Sequence, residues 1–303
     1  MLAGLGRSLI GAGVLILLFV VYQLWGTGLY TSRAQASLED DFAGRLEAVE
    51  QESTTATSSP GIGEQPTSPT TVTPRAAPSV AVAPGEGEAA GRLEIPAIAL
   101  DWIFVEGVSV LDLKKGPGHY PETPFPGQAG NAALAGHRTT YGAPFNRVDE
   151  LEPGDEIVVT TVQGRFLYVV TGQQIVPPSQ VEVLADFGDS RLTLTSCHPE
   201  YSARQRIIIT ARLDGAPAPA PPPAAQPVPP RAPASLDAGL SGDPVPKLPA
   251  VVWGLATAGI WLAIRQTAKR WRRWPSYLIG LPVFLVMLFL FFENMSRLLP
   301  ANF

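Results

Sequence analysis

Three apolar stretches set the limits on how this chain can fold, because they tie both of its ends to a bilayer. From Leu9 to Trp25 the sequence runs LIGAGVLILLFVVYQLW, interrupted by a single Gln, preceded by Arg7 and ending in the Tyr and Trp that favour the headgroup region. A cleaved signal peptide competes with this reading. The length of the run and the lack of an A-x-A site after it favour an anchor over 9–29. Two further apolar runs, Leu248 to Ile264 and Tyr277 to Phe292, are separated by RQTAKRWRRWPS and read as a hairpin of spans over 248–264 and 274–293. Each is slightly short of the roughly 20 residues a crossing needs, and the flanking Trp271 and Trp274 make up the length at the interface.

Charge then gives the direction. Arg265, Lys269, Arg270, Arg272 and Arg273 fall in the short loop 265–273, which the positive-inside rule keeps cytoplasmic together with residues 1–8. Everything between the first and second spans is then extracytoplasmic, as is the tail 294–303. The net charge of −5 leaves no basic excess for nucleic-acid binding. A single cysteine excludes an internal disulfide and a Cys-cluster metal site, so an exported thiol here is a candidate reactive group.

Two arms isolate the part that folds. Residues 30–91 comprise a stalk and a spacer: Ala34 to Glu50 has rough helical spacing, with no chemistry read into it, and Ser53 to Gly91 is dominated by Thr, Ser, Pro, Ala and Gly. Residues 214–247 are richer still in Pro and Ala and predict a stiffer, partly polyproline arm. Between them, residues 92–213 carry the pattern of a mainly β domain of about 120 residues.

Strand-like runs cover Arg92 to Ile95, Trp102 to Glu106, Ala132 to Ala135, Glu156 to Thr161, Arg165 to Ile175, Arg191 to Ser196 and Arg206 to Leu213. A hairpin turn is expected at Thr161 to Arg165 with Gln163 and Gly164 at its centre. Short helical pieces are expected at Val110 to Lys115, Pro144 to Leu151 and Val181 to Phe187. Many short strands with turns between them point to a closed barrel.

Cys197 ends the run RLTLTS and precedes His198 and Pro199, a position expected to expose the thiol where the strand stops pairing. A free cysteine is otherwise a small buried hydrophobe. Attack requires the thiolate, and so a nearby base or cation. Of the three histidines, His198 points to the opposite face from Cys197 if the strand continues, which makes it a poor direct partner. His137, in AALAGHRTTYG, follows a strand-like run and precedes a Gly- and Thr-rich loop; His119 lies in GPGHYPET. Arg206, nine residues after Cys197, sits at the start of the strand IIIT where a guanidinium can meet a developing oxyanion. Arg204 is the alternative.

The order GHRTTYGAPF, GDEI, LTLTSCHP and YSARQRIIIT resembles the sortase family, and GPGHYPETPFPGQAGNAALAGHR is similar to its class E branch in actinobacteria. The match covers Leu93 to Leu213, about two fifths of the chain. The resemblance implies an eight-stranded sortase β-barrel with short helices, with His137, Cys197 and Arg206 as its catalytic triad. It implies substrate contacts at Tyr120, His119, Ser196 and His198, and clients that are exported proteins bearing a C-terminal L-x-x-T-G signal. Tyr120 goes with a preference for Ala at the second signal position. The acceptor implied is a peptidoglycan precursor amine. No cofactor is implied, and no clustered carboxylates call for calcium.

Two departures stand out. Ser196 replaces the Thr usual before the nucleophile, and the C-terminal hairpin is more usual in pilin-polymerising class C members. Those carry an Asp-Pro-aromatic lid, and Ser53 to Gly91 contains no such tripeptide. Housekeeping attachment is therefore ahead of pilus assembly. A non-catalytic peptide-binding adaptor and a cysteine hydrolase are the readings from other classes.

Overall fold

The computed structural model describes residues 2–57, 84–219, 236, 240, 247–270 and 273–296. Most of the spacer and most of the Pro- and Ala-rich arm expected from composition lie outside these residues. So does part of the basic loop, at 271–272.

Eight strands close into a barrel: β1 (Ala89–Ile95), β2 (Leu100–Glu106), β3 (Gly118–His119), β4 (Asn131–Ala135), β5 (Glu156–Thr161), β6 (Gly164–Val176), β7 (Arg191–His198) and β8 (Gln205–Asp214). Their spatial order is β1-β2-β3-β4-β7-β8-β6-β5, with β5 returning to β1. The pairs β2–β3 and β4–β7 are parallel and the others antiparallel. Alternation along the strands sorts side chains into two layers. Leu192, Leu194, Ile207 and Ile209 face the barrel interior with Leu93, Phe104, Ile157 and Tyr168. On the opposite face, Cys197 and Ile208 pack with Ala133, Ala135 and Tyr120.

The expected hairpin exists, one residue earlier. Gly164 pairs with Thr161, so Val162 and Gln163 make the turn. β3 has only two residues and no apolar pattern, which is why the sequence does not announce it. The expected helical pieces appear as α3 (Val110–Leu113) and as single 3-10 turns at Val148–Glu150 and Val181–Leu184.

The N-terminal helices, numbered here in chain order, are α1 (Leu2–Val21) and α2 (Thr27–Thr57), joined by a π-helical turn at Tyr22–Gly26. α2 is longer than the stalk expected over Ala34 to Glu50, and it is part of the folded unit. Leu38 and Phe42 are buried against Ala89, Ile103 and Val105. The short β3 pairs with β2 only at Val105 and Glu106, leaving the edge of β2 open at Ile103. Gln35 fills the gap: its Oε1 accepts from Ile103 N–H at 2.9 Å and its Nε2 donates to the carbonyls of Ile103 and Lys115 at 2.8 Å each. A strand edge that would otherwise stay unpaired is satisfied by one amide side chain.

α4 (Leu248–Arg270) and α5 (Arg273–Ser296) form the C-terminal hairpin, and α4 runs on through Arg265, Lys269 and Arg270. Leu248–Arg270 and Trp274–Ser296 are long and apolar enough to cross a membrane; Leu9–Val21 is apolar but shorter. Aromatic contacts join α1 and the π-helical turn to α5, with Phe19 on Phe292 at 5.1 Å and Tyr22 on Phe289 at 5.4 Å between ring centroids.

Candidate active site

The outer face of β4, β7 and β8 collects the candidate residues. Cys197 and Arg206 are opposed partners across the antiparallel β7–β8 ladder, so both side chains project to the same side. β4 runs parallel to β7 with Ala135 level with Thr195, and the pairing continues through Gly136 N–H to the Thr195 carbonyl at 3.1 Å. Two residues beyond Ala135, His137 is thereby brought level with Cys197. The strand edges thus gather three residues that lie far apart in sequence. Arg204, the alternative to Arg206, is exposed and precedes the start of β8.

Cys197 was expected to be exposed and is not. It is 1% exposed, and His137 and Arg206 are each at 0%. β7 keeps pairing through His198 opposite Gln205, so the cysteine lies inside the ladder rather than at its end. Leu236 and Leu240, both at 0% exposure, pack in the same cluster as Cys197, with Val108, Val176 and Val183 as further walls. Arg206 Nε donates to the Leu236 carbonyl at 3.0 Å, and its Nη1 donates to the carbonyls of Ala203 and Gln205 at 2.9 Å each. The guanidinium is therefore engaged by three main-chain carbonyl oxygens.

Neither ring nitrogen of His137 has a hydrogen-bond partner among the described residues. Burial lowers its pKa to about 3, and the nearby Lys114 ammonium acts in the same direction. Lys114 stands 5.3 Å from the ring centre of Tyr141, whose ring lies 5.2 Å from that of His137. Gly136, just before His137, allows the Phe145 ring to pack close to the backbone, since a Cβ there would stand 2.5 Å from that ring.

The remaining residues expected to touch substrate fall into two groups. Tyr120 is in the cluster with Cys197, and its hydroxyl lies 3.2 Å from Thr195 Oγ1. His119 is turned elsewhere: Nδ1 meets Glu106 at 2.8 Å and Nε2 meets the Pro124 carbonyl at 3.0 Å, which fixes the segment that carries Tyr120. Ser196 Oγ donates to the Gly136 carbonyl at 2.8 Å and so holds the base of the His137 loop. His198 is half-buried beyond Cys197 on the opposite face.

Two residues escaped the sequence reading. Arg138, 3% exposed, joins the His137 loop to the cysteine strand: Nε donates to the Asn146 carbonyl at 2.6 Å, Nη1 to the Cys197 carbonyl at 3.5 Å, and Nη2 pairs with Asp149 at 2.8 Å. Its position next to His137 was the available signal. Asn131 donates to the carbonyls of Val183 and Ala185 at 2.9 Å each and accepts from Thr193 Oγ1 at 2.7 Å, holding the Val181–Leu184 turn against the sheet. Nothing in the sequence distinguishes it from a turn asparagine. Among the described residues no group of three or more His, Cys, Asp or Glu could hold a metal ion.

Comparison with known proteins gives one family. The family model described as Sortase domain matches residues 93–214. Sortase SrtE1 of Streptomyces coelicolor is 35% identical over 230 residues, covering 69% of this chain and 56% of that protein. Sortase SrtE2 of the same organism is 31% identical over 231 residues, covering 69% of this chain and 80% of that protein. The solved sortase E of Streptomyces avermitilis is 38% identical, with a TM-score of 0.40, over 43% of this chain and 91% of that one. The chain thus spans just over half the length of SrtE1.

Proposed function

The chain belongs to the sortase family of cysteine transpeptidases, and on that premise we propose that it cleaves an L-A-x-T-G-type signal between Thr and Gly and transfers the protein to a cell-wall precursor amine. The observation that carries this reading is the opposition of Cys197 and Arg206 across β7–β8, with His137 level with the cysteine from β4. The Cys197 thiolate attacks the threonine carbonyl. Arg206 stabilises the oxyanion, a role supported by the bond it already donates to a main-chain carbonyl. His137, protonated once substrate and water enter the groove, gives its proton to the departing glycine amine. The thioester is then taken by an amine, with His137 accepting the proton.

Tyr120 lines the groove, while His119 and Ser196 act behind it by fixing its walls. α4 and α5 cross the membrane with Arg265, Lys269 and Arg270 on the cytoplasmic side, and the barrel works outside. The test is product mass with and without an added amine. An amide-linked adduct that appears with the amine supports transpeptidation; hydrolysed peptide alone in both reactions identifies a hydrolase instead.

A further inference from the structure

The groove beside Cys197 is filled by the chain itself. Leu236 and Leu240 belong to the arm between β8 and α4, and both lose all exposure in the cluster that contains Cys197 and Tyr120. The Leu236 carbonyl takes the Arg206 Nε–H at 3.0 Å. Two apolar side chains and one main-chain carbonyl are the groups by which an extended peptide would engage this face. We propose that Leu236 and Leu240 act as a strap that occupies the peptide groove as an internal competitor, and that substrate enters only when they leave.

Three features support a strap over incidental packing. The leucines interrupt a stretch otherwise dominated by Pro and Ala, a composition with little else to bury. The arm is already led along the barrel where it leaves β8, since Ala218 N–H donates to the Gly127 carbonyl at 2.7 Å and Gln163 Nε2 to the Pro219 carbonyl at 3.2 Å. It is also short on its far side: seven residues lie between Leu240 and Leu248, where α4 begins, so the eight chain steps reach at most about 28 Å. The strap therefore connects the groove to the C-terminal hairpin, which gives that hairpin a place in regulation as well as in tethering. A strap closed nine-tenths of the time raises the apparent KM about ten-fold without changing kcat.

The identity of the competing substrate rests on the function proposed above, whereas occlusion of the thiol does not, and the experiment keeps the two apart. Full-length protein in detergent is compared with the double variant Leu236→Ser and Leu240→Ser, both checked for a cooperative thermal transition. Alkylation of Cys197 by iodoacetamide is expected to run about ten-fold faster in the variant, and KM for a labelled L-A-x-T-G peptide to fall by a similar factor at constant kcat. A synthetic peptide of residues 232–243, added to the variant, is expected to slow alkylation again. Equal alkylation rates in the two proteins, or no effect of the added peptide, would overturn the strap. Faster alkylation with KM unchanged would overturn competition with substrate. Faster, peptide-suppressed alkylation with no peptide turnover by either protein would uphold the strap and remove the transpeptidase reading.

Discussion

Cys197 and Arg206 stand directly opposite one another on adjacent antiparallel strands, with His198 opposite Gln205 and residues 199–204 closing the hairpin. Their opposition is therefore a consequence of ladder geometry, and the nine-residue spacing follows from that ladder together with the six residues of the loop. A change in the length of the loop preserves the pairing, while a one-residue slip within β8 would turn Arg206 to the barrel interior. The side chain must also fork as a guanidinium, since its nitrogens donate to the carbonyls of Leu236, Ala203 and Gln205. Arg206→Lys keeps the charge and loses the fork. It is expected to lower kcat about 100-fold with little change in KM, as for loss of one oxyanion donor. Arg204→Ala is expected to stay within about two-fold, because an exposed side chain outside the ladder contributes little. Steady-state kinetics with a labelled peptide reads both.

His137 makes stability depend on pH. Its pKa is about 3 in the closed groove, against about 6.5 in an unfolded chain. Above pH 6.5 the imidazole is neutral in both states and the closed form bears no penalty. As the pH falls below 6.5 the unfolded chain binds a proton that the closed groove refuses, so stability is lost progressively down to about pH 3, and by pH 5 the loss is about 2 kcal/mol. The thermal midpoint is expected to fall between pH 7 and pH 5, and His137→Gln to reduce the slope. An unchanged slope in His137→Gln would assign the dependence to other groups.

Arg138 donates to the carbonyls of Asn146 and Cys197, and in the proposed mechanism it would act as a positioning residue for the loop that carries His137. Arg138→Met is expected to lower kcat about ten-fold while KM stays nearly constant, the signature of a misplaced proton donor rather than weakened binding. A purely structural role would lower the amount of folded protein and leave kcat per folded site unchanged.

The α2 contact is expected to matter for stability more than for turnover. Phe42→Ala removes a buried ring from the Leu38–Ile103–Val105 cluster and should cost about 3 kcal/mol. Gln35→Leu leaves the Ile103 N–H and carbonyl unpaired and should cost about 1–3 kcal/mol. Hydrogen exchange in full-length protein should show faster exchange at Ile103 in both variants.

Much of the barrel was legible because its strands are written in β-branched and apolar runs. EIVVTT is a strand over its full expected length, Glu156–Thr161, and the runs around FLYVV and RIIIT needed only extension at their ends. β3 was illegible because Gly118 and His119 pair through the backbone alone and show no side-chain pattern. The stalk concealed its role for a different reason: Leu38 and Phe42 are one helical turn apart among acidic and small residues, and the open edge of β2 they dock on exists only in three dimensions.

At the site, the opposition of Cys197 and Arg206 was readable as spacing, and His137 as a strand end. The burial of the cysteine was not. The cluster that buries it draws residues from several distant segments, among them two leucines in an arm whose composition otherwise speaks only of extension. Arg138 and Asn131 were hidden because their work is to hold other backbone carbonyls, which no motif records.

The most direct measurement is the intact mass of the full-length protein after incubation with a labelled L-A-x-T-G peptide and quenching in acid. Wild type should carry an added mass equal to the peptide fragment ending in threonine. That mass should map to Cys197, disappear on treatment with hydroxylamine, and be missing from Cys197→Ala. Turnover of the peptide by Cys197→Ala, or an adduct on any other residue, would contradict the assignment of Cys197 as the nucleophile.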